Sequence, residues 1–132
     1  MTILKSKDRG GKLTEVELEL MTILWRISEG SVADVIEQLP KNRDLAYTSV
    51  STILRILEQK GILKARKEGR GHIYVPVLKK DEYESHTVRD VVDRVFHGTP
   101  VALVKQLLDS VDLSEQEFKE LKDLLKKREA KK

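Results

Sequence analysis

The stretch AYTSVSTILRILEQKGIL (46–63), continued by KARKEGRGHIYVPVL (64–78), switches its apolar period from about 3.6 to about 2, and this switch decides the fold. Val50, Ile53, Leu54 and Leu57 recur at i, i+3, i+4 and i+7, which predicts one buried stripe on a helix over Tyr47–Lys60, ended by Gly61. At about 100° per residue, Thr48, Thr52, Arg55 and Gln59 fall on the opposite face. Ile62–Lys67 and His72–Val77 then read as two short strands, in which Ile73, Val75 and Val77 alternate with His72, Tyr74 and Pro76. Glu68-Gly69-Arg70-Gly71 is the turn between them, with glycines able to take positive φ.

Upstream, Thr14 and Glu17 have the spacing of a capping box, and Leu13 and Leu18 that of its hydrophobic staple. They predict a first helix with Val16, Met21, Leu24 and Trp25 among its apolar residues, Trp25 in the core, and a chain reversal at Gly30. Ser31 and Asp34 open a second, shorter helix carrying Val35, Ile36 and Leu39, which Pro40 stops. The polar connection Lys41–Asp44 leads to the third helix, so the second and third suit a helix-turn-helix. Three helices followed by a basic hairpin is the winged-helix order, predicted here over residues 13–78. Residues 1–12, with Lys5, Lys7, Arg9, Lys12 and Gly10-Gly11, read as a flexible basic arm.

Residues 79–132 are predicted helical and amphipathic. Val88, Val91, Val92, Val95 and Phe96 form one stripe before His97-Gly98-Thr99-Pro100 breaks the helix, and Val101, Val104, Leu107 and Leu108 form the next. Ser114 and Glu117 make another capping box, with Leu113 and Phe118 as its staple, ahead of Leu121, Leu124 and Leu125. Three short helices have too little interior to bury such stripes alone. The same stripe on a second copy is the simplest partner, which predicts a homodimer; the alternative is folding back onto the N-terminal domain. The fold class expected is therefore mainly α with a small β-hairpin: a winged helix-turn-helix domain, then a C-terminal helical dimerisation domain.

The chemistry points to double-stranded DNA. Thr48, Ser49, Ser51 and Thr52 set short hydroxyls near the start of the third helix, where a recognition helix meets base edges. Arg55 on the same face reaches a phosphate or a guanine, and Tyr47 either touches phosphate or packs against the turn. In the hairpin, Arg66, Lys67 and Arg70 are expected along the DNA backbone, with His72 either joining them or simply at the surface. The net charge of +3 is carried by residues 1–78, while residues 79–132 are balanced. Within 55–72 six basic residues face only Glu58 and Glu68, the local excess that phosphate binding needs.

Other functions find little support. With no cysteine there is no disulfide, thiolate metal site or cysteine nucleophile. His72, His86 and His97 are scattered without carboxylates at metal-binding spacing, so no metal or cofactor is expected. No nucleophile elbow, phosphate-binding glycine loop or dinucleotide fingerprint is present, and Asp90 and Asp93 read as the polar side of a helix, so an enzyme is not expected. At 5% aromatic the chain offers no stacking platform for single strands. No apolar run reaches membrane-span length and the start lacks a signal-peptide core, so a cytoplasmic protein without membrane insertion is expected. A different class, a winged-helix protein-interaction module docking its hairpin on an acidic partner, accounts for the same basic patch.

The segments LTEVELELMTILW (13–25), SVADVIEQLP (31–40), AYTSVSTILRILEQKGIL (46–63), KEGRGHIYVPVL (67–78), VVDRVFHGTPVALVKQLL (91–108) and DLSEQEFKELKDLL (112–125) cover nearly the whole chain. In them it resembles the penicillinase-repressor family, which includes the beta-lactamase, methicillin-resistance and copper-responsive repressors. The resemblance implies an N-terminal winged helix, a C-terminal dimerisation domain and homodimers on palindromic operators. It also implies base contacts early in the third helix, hence from Thr48, Ser49 and Thr52. In the resistance branch a membrane sensor-protease signals cleavage of an Asn-Phe bond, which implies such an upstream partner. The counterpart region here reads Thr99-Pro100-Val101-Ala102-Leu103 and lacks that bond. The copper branch has a cysteine-rich tail, which a cysteine-free chain excludes.

Overall fold

Thr14 starts the first helix. In a computed structural model that describes residues 12–131, its hydroxyl accepts the Glu17 amide at 3.1 Å, and the Glu17 carboxylate accepts the Thr14 amide at 3.0 Å. The arm expected over residues 1–12 lies, Lys12 apart, outside the described residues. From this cap α1 (Glu15–Ile27) buries Leu20, Met21, Ile23 and Leu24. Trp25 is half-buried against the core, donates from Nε1 to the Leu78 carbonyl at 2.9 Å and packs on Tyr83 with ring centroids 5.9 Å apart.

The helix ends one step earlier than its glycine suggests. Ser28 takes the positive φ, 78°, and its amide donates to the Leu24 carbonyl at 2.8 Å. Gly30 is buried and serves a close approach instead: a Cβ there would stand 3.0 Å from both Asp34 Cβ and Ile27 Cδ1. Ser31 and Asp34 form the capping box of α2 (Val32–Glu37), which buries Val32 and Val35. Arg43 in the following loop donates from Nε to both Glu19 oxygens at 3.0 and 3.1 Å, tying that loop to α1.

Helix α3 (Tyr47–Gln59) buries Val50, Leu54 and Leu57 with Ile53 half-buried, the stripe its spacing predicts. Strands β1 (Leu63–Glu68) and β2 (Gly71–Pro76) pair antiparallel from Leu63 opposite Pro76 to Glu68 opposite Gly71. Gly69 supplies the positive φ, 61°, of the two-residue loop. Gly30 bridges Tyr74 through amide–carbonyl bonds of 3.1 and 2.8 Å, so β2 has β1 on one edge and the α1–α2 turn on the other. Tyr74 is the buried residue of β2; Ile73 and Val75 are half-buried and Val77 is exposed.

The chain divides into two compact units, Met1–Arg89 and Asp90–Lys132, and the division falls within α4 (Lys80–Val95). Tyr83 on that helix belongs to the core of the first unit, and its hydroxyl accepts the Leu13 amide at 3.3 Å. In the second unit His97 and Gly98 take positive φ, and the Gly98 amide donates to the Val92 carbonyl at 2.9 Å. Pro100 opens α5 (Pro100–Ser110), and the Ser114/Glu117 capping box opens α6 (Glu115–Ala130). Neither α5 nor α6 buries a residue.

Glu17 does double duty, because its other oxygen holds Lys60 Nζ at 2.8 Å and so joins the end of α3 to the start of α1. Burial pushes this carboxyl up, but the Lys60 ammonium and the Thr14 donors hold it, on balance, below the usual 4.5. A carboxyl depressed in the fold adds stability above its unfolded value and loses it as pH falls through the folded one. Glu17→Gln is therefore expected to cost about 1 kcal/mol at pH 7, discounted because Lys60 is half-exposed. The difference from wild type should shrink below pH 4.5 in denaturant titrations run at several pH values.

Candidate nucleic-acid interface

The outward face of α3 is built by subtraction. Once Val50, Leu54 and Leu57 are committed to the core, Thr48, Ser49, Thr52 and Arg55 are left exposed. Tyr47 is 59% exposed at the first position. The N-cap, Ala46, has no side chain to accept a first-turn amide, and no acidic residue stands in that turn. The start of α3 therefore presents unpaired N–H groups beside four hydroxyl-bearing side chains, Tyr47, Thr48, Ser49 and Thr52, with no acidic residue in its first turn.

Beside this face lies a groove of about 400 Å³ between the start of α2, α3 and the hairpin. Tyr47, Ser51 and Arg55 line it from α3, and Arg70 and His72 from the hairpin, with Ser31 at its end. Of the residues expected at the site, the structure thus brings Tyr47, Ser51, Arg55 and Arg70 together around one concavity. Thr48, Ser49 and Thr52 stand outside it on the exposed helix face. Lys67 is exposed on β1 opposite His72, and directly paired residues share a face of the hairpin.

Arg66 stands apart from its two basic neighbours. It pairs with Glu29 at 2.8 Å and with Glu68 at 3.0 Å. Hydrogen bonding to Arg66 holds the Glu29 carboxyl below its usual value, and the two carboxylates raise the Arg66 guanidinium in turn.

Among the groove residues that the sequence does not mark as site residues are Tyr74, Glu58 and Ser31. Tyr74 shares a strand face with His72 two residues away, a period-2 signal that the β-branched Ile73 and Val75 mask. Its side chain is 94% buried, from 6% exposure, and among the described residues its hydroxyl makes no hydrogen bond. Burial pushes its phenol above the usual 10, with Glu58 adding to the effect and Arg55 opposing it. Among the described residues no three His, Asp or Glu side chains gather as a metal site, and no helix is long and apolar enough to cross a membrane.

Comparison with known proteins gives a consistent set of relatives. The family model described as penicillinase repressor matches residues 13–127. The penicillinase repressor of Bacillus licheniformis is 30% identical over 114 residues, covering 86% of this chain and 89% of that protein. The methicillin resistance regulatory protein MecI of Mammaliicoccus sciuri is 25% identical over 117 residues, covering 89% and 95% respectively. The solution structure of the Bacillus licheniformis BlaI monomeric form in complex with the blaP half-operator is similar with a TM-score of 0.47 and 32% identity. That likeness covers 55% of this chain and 89% of that one.

The Tyr74 environment yields a direct test. In alkaline spectrophotometric titration Tyr74 is expected to ionise above pH 10, and Tyr74→Phe should remove that component. Since the hydroxyl has no protein partner to lose, the same variant should keep its folding free energy within about 0.5 kcal/mol of wild type.

Proposed function

The chain belongs to the penicillinase repressor family, and from that premise we propose that it is a sequence-specific transcriptional repressor that occupies palindromic double-stranded operators as a homodimer. The observation that carries this reading is the pairing of an exposed hydroxyl face on α3 with the groove between that helix and a basic hairpin.

A helix about 10–12 Å across enters the major groove, whose edges carry a distinct donor and acceptor pattern for each base pair. Thr48, Ser49 and Thr52 are assigned to that reading, with Ser51 beside them where the helix turns into the groove. Short hydroxyls both donate and accept, and a threonine methyl fits against a thymine methyl. Tyr47, Arg55, Lys67 and Arg70 are assigned to the phosphate backbone, which supplies affinity and register. The unpaired amides at the start of α3 add to the same attraction.

The homodimer rests on the second unit. Val104, Leu107, Leu108, Phe118 and Leu125 are all more than 40% exposed, as are Val88 and Val95 of α4. Val91, Phe96 and Leu121 are half-buried, and Val92 is already buried, so its surface is not available to a second copy. Apolar surface in such quantity calls for a cover, and a twofold repeat of the same patch supplies one. Two reading helices related by a twofold axis then ask for a palindrome. An operator-bound repressor works in the cytoplasm.

A sensor-protease is the upstream partner that family membership suggests. Thr99–Leu103 lacks Asn-Phe and forms the cap and first turn of α5, so relief of repression here needs another bond or another signal.

Selection from a random duplex pool is expected to return an inverted repeat. Thr48→Ala with Thr52→Ala should weaken the selected duplex at least tenfold while leaving unrelated DNA within about twofold, and equal losses on both would defeat the base-reading assignment. Sedimentation of the protein at micromolar concentration should give twice the 15.1 kDa chain mass, and Leu108→Glu should shift it toward one chain. A wild-type monomer throughout the micromolar range contradicts the dimer.

A further inference from the structure

Neighbouring residues on a strand point to opposite faces. Lys67 lies opposite His72 on the face toward the groove, so Arg66, opposite Ile73, points the other way. Its guanidinium is already engaged there. Nη1 and Nη2 donate to the two oxygens of Glu29 at 3.3 and 2.8 Å, and Nε and Nη2 donate to Glu68 at 3.3 and 3.0 Å.

The two carboxylates differ in what they connect. Glu68 is two residues along the same strand and sets the direction of the side chain. Glu29 belongs to the α1–α2 turn, beside the Gly30 that bridges Tyr74. Because β2 lies between β1 and Gly30, Arg66 has to cross β2 to reach Glu29. Beyond the Tyr74 bridge the hairpin continues through Ile73, His72 and Gly71 to its tip. Among the described residues, the Arg66–Glu29 pair is the side-chain ion pair that ties this outer half to the helices.

We propose that Arg66 is a positioning residue rather than a phosphate ligand: with Glu29 it latches the hairpin at a set angle to α3, so that Lys67 and Arg70 meet the DNA backbone while α3 meets the bases. This rests on the DNA-binding reading above. A phosphate ligand and a latch predict opposite signs for one substitution. Glu29→Gln removes a negative charge and frees Arg66 from one of its two carboxylates, which strengthens DNA binding if Arg66 contacts phosphate. It loosens the hairpin, and weakens binding, if the pair is a latch.

The probes are a duplex selected by the wild-type chain from a random pool and an unrelated duplex of equal length, titrated at several salt concentrations. Glu29→Gln is expected to weaken the selected duplex about two- to fivefold, the range an exposed ion pair supports. Arg66→Gln should be no worse, and the double variant no worse than either. Tighter binding by Glu29→Gln overturns the latch. So does a salt slope reduced by about one phosphate in Arg66→Gln. Amide hydrogen exchange in the free protein separates the two readings. Faster exchange over residues 66–73 in Glu29→Gln supports the latch and unchanged exchange overturns it, whereas a wild-type chain that selects no duplex overturns the DNA reading itself.

Discussion

Two backbone hydrogen bonds between Gly30 and Tyr74 carry the arrangement of the first unit. They give β2 a second partner, turn an isolated hairpin into an extension of the helical body, and set Tyr74 into the core. A two-stranded hairpin alone is marginal in water, so its direction has to be borrowed from whatever it joins. Any Cβ at Gly30 would stand 3.0 Å from Asp34 Cβ and Ile27 Cδ1, so those side chains would have to give way. The groove beside α3 exists because this contact holds its far wall in place.

The proposed interface separates two kinds of work. Hydroxyls on the exposed side of α3 are short and uncharged; their contribution depends on what they meet, which is what discrimination requires. The cations around the groove act over longer distances, fade with salt and care little about sequence. Glu58 among them limits how much positive charge the concavity presents. Behind α3, the Lys60–Glu17 pair anchors the helix end to α1, so the reading face is held at one end by charge and along its length by the core.

Much of this was legible in the chain because the signals are local. Two capping boxes, at Thr14 and Ser114, and the helix start at Ser31 and Asp34 needed only four residues each, and the stripe on α3 only eight. What escaped depended on distance or phase. Glu29 and Arg66 are 37 residues apart, with nothing in either segment to name the other. Arg66 and Lys67 are neighbours in the chain, but alternation along the strand sets them on two faces. The alternation itself left its phase open, and the aromatic Tyr74, not the β-branched Ile73 and Val75, took the buried side. At the end of α1, Ser28 adopted the left-handed turn that composition assigns to glycine, freeing Gly30 for the bridge.

Helices α5 and α6 place none of their residues in an interior of their own. With the homodimer proposed above as their cover, the form that grips an operator is a pair, and below the concentration at which most chains are paired its abundance grows with the square of the number of chains. In that regime, halving the supply of chains removes about three-quarters of the pairs. The exposed valines and leucines of the tail would in this way convert a modest change in protein turnover into a steep change in operator occupancy, a threshold located in the tail and not in the helix that reads the DNA.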